Sequence, residues 1–204
     1  MTCKSSINII IVQTKLFGLF FDSLSDHLSG DVYLIEVSDN PLTENASVPF
    51  RRFPYKSKLS RVWQVRNAIK YINSLIDGCD TENIHYYFAH AVDPLANYLL
   101  FNARGSVNLI PDGAMNFSST RGWSGTWRNF LNTRSAYLLS GFLYRKPYPD
   151  IYGGGVRKWN KRFVLSEKHT VLPQADETIE LKINSTFTDS KLTVVLGQVV
   201  EDDN

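Results

Sequence analysis

The apolar run INIIIVQ, residues 7–13, is the feature that most restricts how this chain can fold. It is almost continuously apolar and rich in β-branched side chains, with no alternation of apolar and polar residues. Such a run is typical of a strand buried on both faces, as the strands of parallel sheets are. Because parallel strands need crossover connections, usually helices, the run predicts an α/β protein.

The residues after this run have the patterns that a parallel sheet requires. TKLFGLFFDSLSDHLS, residues 14–29, has leucine and phenylalanine at helical spacing, and DVYLIEV, residues 31–37, is a second apolar run. Together with the first run they predict a strand-helix-strand unit with a right-handed crossover. The pattern continues with predicted helices at 61–77, 94–104 and 127–144 and predicted strands at 83–90 and 106–111.

The end of the chain is less regular, and we interpret it as the start of a second lobe. Residues 166–191 are polar and weakly patterned, which favours a linker or an excursion between lobes. LTVVLGQ, 192–198, again has an apolar strand pattern, but no helix follows it. We therefore expect a Rossmann-like first lobe at 1–165 and the first strand of a truncated second lobe at 192–204.

Composition and charge exclude several classes of protein. Hydrophobic residues make up 43% of the 204 residues, and the net charge of +2 is too small to indicate nucleic-acid binding. Cys3 and Cys79 form no metal or redox motif, which favours free thiols in a reducing cytosol. No run reaches the roughly 18 apolar residues that a membrane-spanning helix needs. We therefore expect a cytoplasmic protein, and the cysteines indicate no metal or redox cofactor.

Polar residues follow three of the predicted strands, at the edge of the sheet where doubly wound proteins bind ligands. Gln13 and Thr14 lie at the end of the first strand, and His90 is the last residue of the strand predicted at 83–90. All three side chains could hydrogen-bond a substrate or a sugar. Helix capping for Gln13 and Thr14, and a structural role for His90, are the common alternatives.

Asp112 is the strongest candidate for chemistry. It directly follows the strand predicted at 106–111, Gly113 permits close approach of the backbone, and Asn116 adds an amide that could bind substrate. A carboxylate in this place can take a proton from a substrate hydroxyl within about 2.6–3.2 Å. Since Pro-Asp-Gly is also a common turn triplet, an ordinary turn is the alternative.

Two further stretches carry positive charge. The basic segment, defined here as residues 51–61, has aromatic residues between its charges and could meet anionic lipid head groups or an acidic glycan. Three glycines at 153–155, followed by Arg157 and Lys158, could cradle a phosphate. A solvated loop and a flexible hinge are the respective alternatives. The chain has no GxGxxG, P-loop or GxSxG motif, which disfavours dinucleotide-binding proteins, P-loop ATPases and serine hydrolases.

From HYYFAHAVDPLANYLLF through NLIPDGAMNF, the chain resembles the N-terminal lobe of bacterial sialyltransferases. These enzymes, which include polysialyltransferases, build sialylated lipopolysaccharide, O-antigen and capsule. They share an Asp/Glu-Asp/Glu-Gly motif in the first lobe and a His-Pro motif in the second. The resemblance implies the first lobe of a two-lobed GT-B glycosyltransferase, with Asp112 as general base and Gly113 as the motif glycine. The chain departs from the pattern in having Pro111 at the first acidic position and no His-Pro.

The resemblance also implies a reaction, an inverting transfer of sialic acid from CMP-sialic acid to a glycan hydroxyl without a metal. The donor would bind mostly in the second lobe, so we expect the chain alone to be inactive. The implied partners are the nucleotide-sugar donor and the glycan acceptor, with peripheral contact to the inner membrane through the basic segment. Two alternatives stay open: a non-catalytic sugar-binding or assembly module of a polysaccharide locus, and an unrelated flavodoxin-like domain.

Overall fold

The computed structural model describes eight stretches of the chain: residues 5–15, 17–42, 47–111, 127–139, 141–145, 151–152, 159–165 and 172–182. The strands are β1 (Ile7–Ile11), β2 (Asp31–Glu36), β3 (Phe50–Arg52), β4 (Ile84–Phe88), β5 (Ser106–Leu109), β6 (Trp159–Val164) and β7 (Ala175–Glu180). The α-helices are α1 (Phe17–Ser25), α2 (Lys58–Leu75), α3 (Pro94–Asn102) and α4 (Trp127–Leu139), and a short 3-10 helix spans Thr81–Asn83.

The strands form one parallel sheet in the order β3-β2-β1-β4-β5-β6-β7. The order 3-2-1-4-5-6 is that of the Rossmann fold, and β7 is added beside β6. The predicted α/β, Rossmann-like parallel sheet is therefore confirmed. Flavodoxin-like proteins have the order 2-1-3-4-5, in which β1 lies between β2 and β3. Here β1 lies between β2 and β4, and the three-residue strand β3 pairs at the edge of the sheet; without β3 the remaining strands have the flavodoxin-like order.

Helices cover both faces of this sheet, as a parallel sheet requires. The residues of β1 divide between two cores: Ile9 and Ile11 pack with α2, α3 and α4, whereas Ile10 packs with α1. Asn8 is the polar residue of β1, and it is buried because its side chain bonds to the carbonyl of Ser29 and to the hydroxyl of Tyr87. Among the described helices, none is long and apolar enough to cross a membrane.

Helix α2 begins three residues before the Arg61 expected from apolar spacing. Ser57 is its N-cap and accepts a hydrogen bond from the backbone of Ser60, while the Ser60 hydroxyl accepts one from the backbone of Ser57. This reciprocal capping box satisfies backbone N–H groups that have no partner within the helix. Apolar spacing detects the buried face but not the polar first turn, which explains the difference.

Two edge strands fall where the sequence indicated irregular structure. β3 lies partly in the basic segment, and β7 lies within 166–191, the expected linker. β7 pairs with β6 from Ala175 through Glu180, so these residues are part of the sheet and not a linker. Edge strands can be short and charged, so they lack the apolar pattern of central strands. The strand predicted at 192–198 lies outside the described residues.

Candidate functional site

A cavity of about 690 Å³ opens at the carboxyl ends of β1, β2 and β4. The chain passes from β1 to β2 on one side and later returns to β4 on the other, which makes this the topological switch point of the sheet. Doubly wound proteins bind their ligands in the crevice at this point. The volume lies in the range of roughly 300–1,000 Å³ that is typical of small-molecule sites.

Gln13 joins the two strands that border the switch point. Its Oε1 accepts hydrogen bonds from the backbone N–H groups of Ala89, at 2.6 Å, and His90, at 3.2 Å. Its Nε2 donates to the carbonyl of His90 at 3.1 Å. The two predicted substrate-binding residues, Gln13 and His90, are thus brought together. The Gln13 amide is used mainly to fix the end of β4, which is a positioning role.

The imidazole of His90 is half-buried and lines the cavity. Its Nδ1 lies 3.5 Å from the Nε2 donor of Gln13. In the tautomer whose proton is on Nε2, Nδ1 can accept a hydrogen bond from this amide. His90 is therefore held by Gln13 through both its backbone and one side of its ring.

Of the four remaining predicted site residues, one lies in the described part of the chain and three do not. Thr14 does not line it; its backbone carbonyl accepts a hydrogen bond from Phe17 at the start of α1. Asp112, Gly113 and Asn116 lie outside the described residues, so their predicted roles stay predictions. The glycines at 153–155 also lie outside them.

A pair of charged residues on the cavity wall, Arg61 and Asp93, was not proposed as a site from the sequence. Asp93 caps α3, as its position before Pro94 predicts: Oδ1 accepts from the backbone of Leu95 and Ala96. Its Oδ2 accepts from Nη2 of Arg61 at 3.0 Å. The capping motif was visible in the sequence, but the ion pair joins residues 32 positions apart, which local patterns do not show.

The cavity wall combines this charged pair with phenol groups. Burial disfavours the charged guanidinium of Arg61, but Asp93, Tyr137 and Tyr55 outweigh it and raise its pKa. Burial raises the pKa of Tyr137, and it raises that of Tyr144 to about 12. At neutral pH the wall therefore has a cationic Arg61 beside neutral phenols. Among the described residues, Nε of Arg61 has no hydrogen-bond partner.

Two of the five cations in the basic segment, Arg52 and Arg61, are paired with carboxylates, whereas Arg51, Lys56 and Lys58 are exposed. Nε of Arg52 lies 3.2 Å from Oε1 of Glu36, a fully buried carboxylate at the end of β2. Arg61 binds Asp93, and the guanidinium of Arg51 lies over two aromatic rings. The segment is therefore less available to an anionic surface than its charge count indicates.

Other candidate groups in the described structure have structural partners. His85 bonds to the hydroxyl of Ser106 at 2.7 Å, and burial followed by the charge of Lys161 lowers its pKa. The thiol of Cys79 donates to the carbonyl of Leu75, whereas Cys3 lies outside the described residues. In the stretches that the structure describes, no three His, Cys, Asp or Glu side chains are grouped as metal ligands would be.

The double role of Asp93 can be separated by two substitutions. Asp93→Ala removes both the cap of α3 and the partner of Arg61, and we expect it to lower the free energy of unfolding by about 2 kcal/mol. Asp93→Asn retains a capping oxygen and should cost about 1 kcal/mol, because Arg61 is partly exposed. Urea denaturation measures both values. Asp80→Ala is the control, since Asp80 precedes the 3-10 helix without a side-chain capping bond; equal losses in all three would refute the assignment.

Comparison with known proteins does not assign the chain to a family. No protein-family model matches the chain, and a search of curated proteins finds none with significant sequence similarity.

Proposed function

We propose that this chain is the acceptor-side lobe of a sialyltransferase-like glycosyltransferase of the GT-B type. We also propose that it binds a glycan in the cavity at the carboxyl ends of β1, β2 and β4. One observation carries the proposal: a cavity of small-molecule size, with polar and aromatic walls, lies at the switch point of a Rossmann-ordered sheet. Ligand sites of this kind combine an apolar wall with a few fixed polar groups.

The chemistry of the cavity suits a ligand with many hydroxyl groups, and its charged lining residues, Asp39, Lys58, Arg61 and Asp93, balance in sign. A sugar hydroxyl both donates and accepts, and the cavity offers the imidazole of His90 beside the charged groups of Arg61 and Asp93. Because a guanidinium matches a carboxylate geometrically, Arg61 is the group best suited to the acid of a sialylated glycan. Gln13 holds His90 in place before any ligand arrives, which reduces the ordering cost of binding.

In the proposed reaction, Asp112 acts as general base. An acceptor hydroxyl loses its proton to the Asp112 carboxylate, and its oxygen forms a bond to the anomeric carbon of sialic acid. The bond from that carbon to the phosphate oxygen of CMP breaks at the same time, and CMP leaves with the electron pair. Support for this role comes from the order of residues along the chain. Asp112 comes three residues after the end of β5, and β5 pairs with β4.

Glycan binding by the chain itself tests the proposed site. NMR titration with a sialylated oligosaccharide should give saturable binding, and His90→Ala should weaken it about tenfold through loss of a polar contact. His27→Ala is the matched control, because His27 is exposed and lies near Phe163 in the core on the other face of the sheet. Absence of binding, or an equal effect of both substitutions, would contradict a glycan site in this cavity.

A further inference from the structure

Helices α2 and α4 are neighbours on the same face of the sheet, and they carry only positive charge. Residues from both helices pack into one core with β1 and β4, and the two helices contact each other. None of the 20 acidic residues of the chain lies in either helix, whereas both contain lysine or arginine. Since acidic and basic residues are nearly equal in number overall, two neighbouring helices without any acidic residue form a locally basic surface.

The outward face of α2 combines exposed apolar residues with these charges. Leu59 and Trp63 are 69% and 50% exposed, which is unusual for side chains of this size. The guanidinium of Arg66 lies 5.4 Å from the ring centroid of Trp63, and Lys70 is exposed one turn further on. The spacing of four, three and four residues places all of them on one side of the helix, opposite its buried face.

The outward face of α4 has the same character. Leu131 and Leu138 are 43% and 53% exposed, and Arg134 lies between them along the helix. Phe130 and Tyr137, on the other side of α4, are buried in the core. The outward surfaces of both helices therefore point away from the same sheet face and share one pattern of apolar and basic side chains.

We infer that this basic-apolar face, formed by Leu59, Trp63, Arg66 and Lys70 of α2 with Leu131, Arg134 and Leu138 of α4, docks onto an anionic lipid bilayer. Leucine and tryptophan partition into the boundary between head groups and acyl chains, where tryptophan is enriched. Arginine and lysine extend their apolar stems along the same boundary and bind lipid phosphates.

A bilayer explains the face better than a second copy of the chain does. Self-association through it would place Arg66, Lys70 and Arg134 of one copy near the same cations of the other, and like charges at an interface are unfavourable. The centres of protein interfaces are also depleted in lysine. Lys58 and Asn132, on these same helices, line the cavity, so docking would bring the cavity close to the lipid surface.

Vesicle binding tests this inference on the intact chain. The protein should sediment with vesicles of phosphatidylcholine mixed with phosphatidylglycerol and should bind vesicles of phosphatidylcholine alone much more weakly. Added salt should release the protein from the mixed vesicles. Lys70→Gln and Arg134→Gln should each reduce the affinity about fivefold. Trp63→Ser combined with Leu138→Ser should reduce it by tenfold or more. Lys182→Gln, an exposed lysine just after β7, is the matched control and should leave it unchanged.

Several results would overturn the inference. Equal binding to both kinds of vesicle, or unchanged binding by the α2 and α4 variants, would exclude this face as an anionic lipid site. Sedimentation velocity tests self-association. Dimers of the unsubstituted chain that become monomers in the Trp63→Ser, Leu138→Ser double variant would assign the face to self-association instead. The unfolding midpoint of each variant is compared with that of the unsubstituted chain. Equal midpoints establish that a variant has lost lipid binding without losing its fold.

Discussion

On the proposed function, Asp112→Asn should lower sialyl transfer by a protein that carries both lobes about 10²–10⁴-fold, the usual contribution of a general base. Asparagine is nearly isosteric with aspartate but cannot accept the proton of the acceptor hydroxyl. Release of CMP in the presence of CMP-sialic acid and a glycan acceptor measures the rate. In the proposed mechanism the base acts on the reacting oxygen, so we expect kcat to fall much more than the affinity for the glycan.

The control for this substitution is Asp77→Asn, which makes the same chemical change at an exposed residue after α2. It should leave transfer unchanged. Transfer that survives Asp112→Asn would refute the base assignment even if glycan binding persists. A different result would favour a non-catalytic sugar-binding module. In that case the protein binds glycan but transfers no sialic acid, and Asp112→Asn leaves the binding unchanged. The base assignment and the glycan site can therefore fail separately.

The central sheet could be predicted from the sequence because burial on two faces leaves a strong pattern. Ile7–Ile11 forms β1 in a run that is apolar at every position except Asn8. By contrast, β7 has the sequence ADETIE and no buried residue. At the edge of a sheet, backbone pairing can hold a strand with a polar sequence, so composition alone does not distinguish it from a loop.

The candidate site was predictable only where it follows from strand ends. The sequence places Gln13 and His90 at the ends of two predicted strands. Parallel pairing of these strands brings their ends together, so both residues could be predicted as part of one site. The separate roles of the two residues were not predictable from the sequence. Gln13 binds the backbone after β4, and those hydrogen bonds depend on tertiary geometry. The same limit applies to the ion pair of Arg61 with Asp93, whose partners come from α2 and the start of α3. Sequence order gives the position of a site, whereas long-range contacts decide what each side chain does there.

Asn97 holds together the structure beside the cavity. It is fully buried in α3, and its Nδ2 donates to the carbonyls of Ala91, at 3.1 Å, and Arg145, at 2.6 Å. Its Oδ1 accepts from the backbone N–H of Arg145 at 3.0 Å. Ala91 directly follows His90, and Tyr144, which lines the cavity, directly precedes Arg145. One amide thus links two segments of the cavity wall.

Asn97→Leu should lower the free energy of unfolding by about 3–5 kcal/mol, because it removes three hydrogen bonds and leaves the carbonyl of the buried Ala91 without this partner. Urea denaturation measures the loss, and Asn102→Leu on the same helix is the matched control. Asn102 is exposed and bonds only to the carbonyl of Tyr98 one turn earlier, so its replacement should change stability by less than about 0.5 kcal/mol. Similar values for the two variants would show that Asn97 does not bridge these segments. A large loss for Asn97→Leu alone, with weaker glycan binding under native conditions, would show that the buried amide supports both the fold and the cavity.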